Sequence, residues 1–339
     1  MENSSAHTVL MERYTPLEVC VLATLAYYDA IGLAMSELET YKYLINPFAE
    51  PAIDFSAVAL RDIITALDNL CARGVIATDG GLYFFPEHQR LARTRIPQQK
   101  LADEKWSIFL RDMKILARLP FVELVMASGS LALGNVSAES DFDILIVARD
   151  GQIWTTRLIT AGILQFFGKR RHGTVTRDRI CLNHFVTASS LHIPYKSIYT
   201  ASSYAHLIPL IDKGNLFGAF MAQNSWIDQW VPFGRTFSGN NQKTTCVQRI
   251  VGVQHTASVS SPVSELFSEF LERIARTIQK SRISHNPLSS LSGGRVMITD
   301  AALEFHPSSQ EGEIIAAYAH TMERFGIRGI RQERDSGLC

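Results

Sequence analysis

Two aspartates stand two residues apart in the segment Ser140-Asp141-Phe142-Asp143-Ile144-Leu145-Ile146-Val147. A strand alternates its side chains, so both carboxylates are expected on one face, with Phe142, Ile144 and Ile146 on the other. Two like charges on an otherwise apolar strand repel each other. A hard divalent cation between them removes that penalty, and Mg²⁺ takes few carboxylates plus substrate phosphates. About a dozen residues upstream lies Gly129-Ser130. A glycine lets the backbone approach a ligand closely. Amides at a helix start, with the Ser130 hydroxyl, suit an anion. A metal-holding pair and a phosphate cradle are thus placed one short helix and one loop apart.

The surrounding elements must bring the two halves together. FVELVMAS reads as a buried strand, SLALG as a helical turn, NVSAES as a polar loop and DFDILIV as a second strand. An almost wholly apolar strand belongs at the centre of a covered sheet. WTTRLITAGILQFFG reads as a helix, GKRRHGTVTRDR as a basic loop and ICLNHFVTAS as a third strand. Upstream, residues 15–90 read as three helices and a hairpin around Asp79-Gly80-Gly81, with Thr15 and Pro16 starting the first helix. This unit resembles winged-helix domains. A connecting segment follows, interrupted by Pro97, and its helix from Lys100 stops at Pro120. From about Ile193 the chain reads mostly helical. GRTFSGNNQKTTCVQ reads as loop, RVMITDAALEFHP as a short strand and turn, and the last dozen residues as frayed and basic.

The run V-M-A-S-Gly129-Ser130, then Ser140-Asp141-Phe142-Asp143-Ile144, resembles the signature of the DNA polymerase beta-like nucleotidyltransferase superfamily over about residues 105–190. The resemblance implies an α/β nucleotidyltransferase fold, a short mixed sheet with helices, to which the readings above add an N-terminal winged helix and a helical C-terminal extension. The expected domains are 1–90 (winged helix), 91–118 (connecting helix), 119–192 (nucleotidyltransferase core) and 193–339 (mainly helical). It implies that Asp141 and Asp143 bind two Mg²⁺ (or Mn²⁺) ions and carry catalysis, and that Gly129, Ser130 and Ser140 contact the nucleotide. The implied reaction moves a nucleoside monophosphate from an NTP such as ATP to an acceptor hydroxyl, with release of pyrophosphate. The family usually adds a third carboxylate on a later strand. Here Asn183 stands at that place and Asp178 is the acid before it. Arg170 and Arg171, in the basic loop, are candidates for the triphosphate or a nucleic-acid acceptor. The C-terminal helices, residues 195–285, are the expected acceptor side by resemblance alone. The acceptor, whether RNA, protein or small molecule, is left open. The missing third acid leaves an alternative, a catalytically weak, nucleotide-sensing regulator that binds DNA through the winged helix.

Composition narrows the classes. The 339 residues hold 33 Lys+Arg and 33 Asp+Glu, so no net charge argues for nucleic acid or a membrane surface. The third N-terminal helix region, with Asp54, Arg61, Asp62, Asp68 and Arg73, lacks a basic cluster. Five scattered cysteines (Cys20, Cys71, Cys181, Cys246, Cys339) argue against a disulfide framework or a cysteine zinc site. The N-terminus lacks a long apolar run, and no apolar stretch is long enough to span a bilayer. A soluble cytoplasmic protein is expected. His184 alternates with Asn183 and is expected on the opposite face, packed. His306 has no metal-ligand spacing to another His or Cys. Ser292–Arg295 reads as a turn, and Phe220, Trp226, Ile227 and Trp230 as core. In the helix of residues 264–282, early Glu265, Glu269 and Glu272 and late Arg273, Arg276, Lys280 and Arg282 suit the helix dipole.

Overall fold

The computed structural model describes residues 13–48, 52–239, 262–285, 295–306 and 309–327. The sequence readings of the last dozen residues, of the Gly-Gly turn before Arg295 and of most of the GRTFSGNNQKTTCVQ loop fall outside them, as do Cys246, Cys339 and the Glu265 side chain. No helix among the described residues is long and apolar enough to cross a membrane.

The N-terminal unit begins with α1 (Pro16–Ala30). Thr15 and Glu18 close a capping box around its start: the Glu18 amide donates to the Thr15 hydroxyl, and the Thr15 amide to the Glu18 carboxylate. There follow β1 (Met35–Ser36), α2 (Glu37–Lys42), a 3₁₀ turn (Phe55–Ala57), α3 (Leu60–Ala72), β2 (Ala77–Asp79) and β3 (Leu82–Phe84). The strands form a small antiparallel sheet in the order β1-β3-β2. Gly80 and Gly81 join β2 to β3 with φ of 59° and 76°, the left-handed pair that a tight hairpin needs. α1 is buried from Val19 to Tyr28 without a polar face. A helix of that kind lies between layers. Here α3 packs on one side of it and α11 (Glu311–Arg324) on another. The N-terminal unit and the C-terminal helices therefore share one core, and Tyr43 stacks on His206 with ring centres 3.6 Å apart.

Next comes a single helix, α4 (Arg90–Ala117), with Pro97 inside it. The expected interruption at Pro97 does not occur. Pro97 costs the carbonyl of residue 93 its helical donor, but both residues lie on the exposed face, where water replaces the bond.

A second, mixed sheet follows: β4 (Val122–Ala127), β5 (Phe142–Ala148), β6 (Ile180–Thr187), β7 (Ile208–Asp212), β8 (Arg295–Ile298) and β9 (Ala302–His306), in the order β7-β4-β5-β6-β9-β8. β5 and β6 run parallel and the other neighbours antiparallel. The mostly helical reading after Ile193 missed one strand. Ile208-Pro209-Leu210-Ile211-Asp212 is an edge strand, which tolerates the proline that a helix interior would not. The remaining helices are α5 (Gly129–Leu133), α6 (Ile153–Phe166), α7 (Ile198–Ala205), α8 (Leu216–Gln223), α9 (Gly234–Gly239) and α10 (Pro262–Ser284).

The two faces of the sheet differ. Phe142, Ile144, Ile146 and Phe185 pack against Phe109 and Met113 of α4 and Leu164 of α6. Leu124, Met126, Leu145, Val147 and Val186 join the core of α1, α7 and α8. Asp143, at the amino end of β5, alternates with Phe142 and Ile144 and so sits on this second face. Glu272 of α10 does more than suit its own helix: its carboxylate accepts from the Trp154 and Thr155 amides at 2.9 and 2.7 Å, capping α6.

Candidate active site

Strand β5 places Asp143 on the second face, and Asp141 just precedes it. Asp143 is held by two neutral groups. Asn183 Nδ2 donates to its Oδ1 at 3.1 Å, and the Cys181 thiol also reaches it. Asp141 takes Arg171 instead, whose Nη1 donates to Oδ2 at 2.8 Å. Ligand atoms of Asp141, Asp143 and Cys181 lie within 4.8 Å of one another. Burial, and then the Asp141 charge, push the Asp143 carboxyl up to about 6. Burial and the same two carboxylates push the Cys181 thiol up to about 12, so it stays protonated and a poor ligand. The hard oxygen pair is what a divalent cation would meet.

Gly129 explains the approach of the two halves. Its φ is 65°, and a Cβ there would stand 2.4 Å from Asp143 Oδ2. The Ser128 amide donates to the Asp143 carbonyl at 3.0 Å, locking α5 to β5. Gly129, Ser130 and Asp143 open onto a cavity of about 730 Å³, whose other walls include Ile31 after α1, Tyr199 and Ser202 of α7, and Glu313 of α11. That volume is within the range of small-molecule sites, roughly 300–1,000 Å³.

The structure separates the other sequence candidates. The Ser140 hydroxyl accepts from the Ser137 amide at 2.9 Å and so closes its own turn. Asp178 lies in the left-handed region, φ 54°, and accepts from Lys105 Nζ at 2.6 Å. Lys105 is buried and also donates to the Ala138 and Ser140 carbonyls at 3.1 and 3.0 Å. This knot fixes the loop that leads into Asp141. Arg171 reaches the carboxylate pair, whereas Arg170 is half-buried beside Arg157 and Arg282, and burial lowers its pKa.

His184 lies on the Asp143 face, contrary to expectation. Asp143 pairs with Cys181 but Leu145 with His184, so β6 has one extra residue there, a bulge. Strict alternation fails across it: Asn183 reaches Asp143, and His184 pairs with Leu145 on the same side. His306 also gains partners that linear spacing hid. β6 and β9 pair His184 with Glu304, and the ligand atoms of His184, Glu304 and His306 lie within 4.8 Å of one another. Burial pushes His184 down to about 3 and His306 to about 4, and pushes Glu304 up to about 7. Asn183 connects the two groups, with Nδ2 3.5 Å from His306 Nδ1. In the sequence, the alternate polar pair Glu304-x-His306 in an apolar strand was the signal available for this group.

Comparison with family models, curated proteins and solved structures returns no match. The functional reading therefore rests on the chemistry of the site.

Proposed function

We propose that the chain is a metal-dependent nucleotidyltransferase that moves a nucleoside monophosphate from an NTP to an acceptor hydroxyl. One observation carries this reading: the Asp143 carboxylate, with Asp141 beside it, meets a close-approach glycine at the wall of a nucleotide-sized cavity. The mixed sheet covered by helices, with the Gly-Ser turn and the two aspartates on adjacent strands, fits the nucleotidyltransferase resemblance.

Asp141 and Asp143 would hold Mg²⁺ or Mn²⁺, which supplies charge neutralisation along the triphosphate. Ser130 offers its hydroxyl to the phosphates. Asn183 donates to Asp143 and fixes its rotamer, a positioning role in place of a third carboxylate. Arg171 is exposed enough to swing from Asp141 to a phosphate. The acceptor oxygen attacks the α-phosphorus, the bond to the bridging oxygen breaks, pyrophosphate leaves and the hydroxyl proton passes to solvent. The cavity wall from α7 and α11 is the proposed acceptor side.

The second reading, a nucleotide-sensing regulator, is favoured by Asn183 standing where a third acid is expected. The N-terminal unit, read as a winged helix, would supply its DNA contact. Along α3 and its C-cap, however, the exposed Arg61 and Arg73 are interleaved with Asp62 and Asp68, and Arg73 binds Glu18. Pyrophosphate release from each of the four NTPs, with Mg²⁺ or Mn²⁺ and with RNA, protein extract or aminoglycosides as acceptors, tests the proposal. Turnover is expected in the wild type and lost in Asp141→Ala/Asp143→Ala. Turnover that survives the double substitution overturns it. Nucleotide binding without turnover, dependent on both aspartates, selects the regulator.

A further inference from the structure

The group formed by His184, Glu304 and His306 has a composition unlike that of the aspartate pair. Two imidazoles and one carboxylate suit a borderline ion of the zinc class, whereas two carboxylates suit magnesium. The three residues come from two neighbouring strands of a covered sheet, so their positions are fixed by backbone pairing. His184 and Glu304 are buried, and His306 is about one-third exposed, which gives an ion a way in.

The group is not closed by its own hydrogen bonds. Glu304 Oε1 is buried without a hydrogen-bond partner. His306 Nε2 stands 3.7 Å from it, too far for a hydrogen bond. Two ligands of one tetrahedral ion, each about 2.0–2.2 Å from it, stand about 3.3–3.6 Å apart. The observed spacing is close to that of two atoms sharing an ion. A buried polar cluster that served packing alone would pair its atoms. Arg295 Nε faces Glu304 Oε1 at 3.5 Å as an ion pair without a hydrogen bond, while its Nη1 is held elsewhere. It donates to Thr200 Oγ1 at 3.0 Å, faces Glu311 at 3.6 Å and lies over the rings of Tyr195 and Tyr199.

We propose that His184, Glu304 and His306 form a second metal site, for one zinc-class divalent ion, beside the aspartate pair and separated from it by Asn183. Three protein donors leave a fourth position for water or a substrate oxygen. The site ties β6 to β9 and does not depend on the nucleotidyltransferase reading.

Cobalt titration of the chelator-treated full chain tests it, because four-coordinate Co²⁺ bound to imidazole absorbs in the visible. One equivalent of Co²⁺ is expected to give that absorption, and Zn²⁺ to displace it. Glu304→Gln and His306→Asn are expected to weaken binding by more than the ~10–100-fold that loss of an outer partner costs. Asp141→Ala/Asp143→Ala is expected to keep the band. Absence of a saturable band in the wild type overturns the proposal. So does a band that survives both Glu304→Gln and His306→Asn, or one that disappears in the aspartate double variant. Circular dichroism of each variant separates loss of the ion from loss of the fold. Should His306→Asn unfold, Glu304→Gln alone decides.

Discussion

Asp178 and Asp143 belong to the same corner of the sheet and have opposite environments. Asp178 faces a buried lysine that belongs to the protein, and the pair is completed by two backbone carbonyls. Its charge is matched within the fold, and its work is to hold a loop. Asp143 meets an amide, a thiol and a second carboxylate, while the Arg171 guanidinium is engaged by Asp141. Under the proposed function, the first carboxylate serves the fold, and the second, raised by its surroundings at a cavity, would take a ligand's charge.

The largest test of this contrast is Lys105→Met. It removes the buried cation from a part-buried Asp178, which keeps Arg177 at 3.6 Å, and from two carbonyls, a loss of about 3 kcal/mol. Urea unfolding should show that loss, and Lys105→Met/Asp178→Asn should recover part of it. A loss under ~1 kcal/mol would mean that the knot is not structural.

Asp143→Asn should move stability the other way. The Asp143 carboxyl titrates at about 6 in the folded chain against an ordinary 3.8. A raised carboxyl binds its proton more tightly in the folded state, so its penalty grows as pH rises from about 3.8 to 6 and is full above that. Removing the charge should therefore stabilise the protein by about 3 kcal/mol at pH 7.5. The gain should vanish below about pH 4. Unfolding curves at several pH values check both ends, and a gain independent of pH would contradict the account.

Gly129→Ala should cost about 1–3 kcal/mol, from its left-handed backbone and the contact with Asp143. A thermal melt reads it, and an unchanged midpoint would mean that Asp143 does not press on Gly129. The smallest effect belongs to Arg171→Ala. Its ion pair with Asp141 is partly exposed, so stability should change by less than about 1 kcal/mol in the same melt.

Much of this corner was legible in the sequence, because local rules governed it. Gly-Ser after an apolar strand and Asp-x-Asp in another gave the carboxylate face, and Thr15-Pro16 and Gly80-Gly81 marked their turns. Pro97 misled because propriety at a helix position depends on which face meets water. Ile208–Asp212 misled because a short apolar run takes strand or helix according to its neighbours. His184 misled because alternation holds only without a bulge, and the bulge depends on how β5 and β6 align. His306 and Glu304 could not be joined to His184 from spacing, since about 120 residues and a sheet register separate them.

The most direct measurement is calorimetric binding of a non-hydrolysable ATP analogue, with and without Mn²⁺, to the wild type and to Asp141→Ala/Asp143→Ala. The account predicts binding that requires both the ion and the two carboxylates. Equal binding by the double variant, or binding indifferent to Mn²⁺, would contradict the claim that Asp141 and Asp143 hold a metal-bound triphosphate.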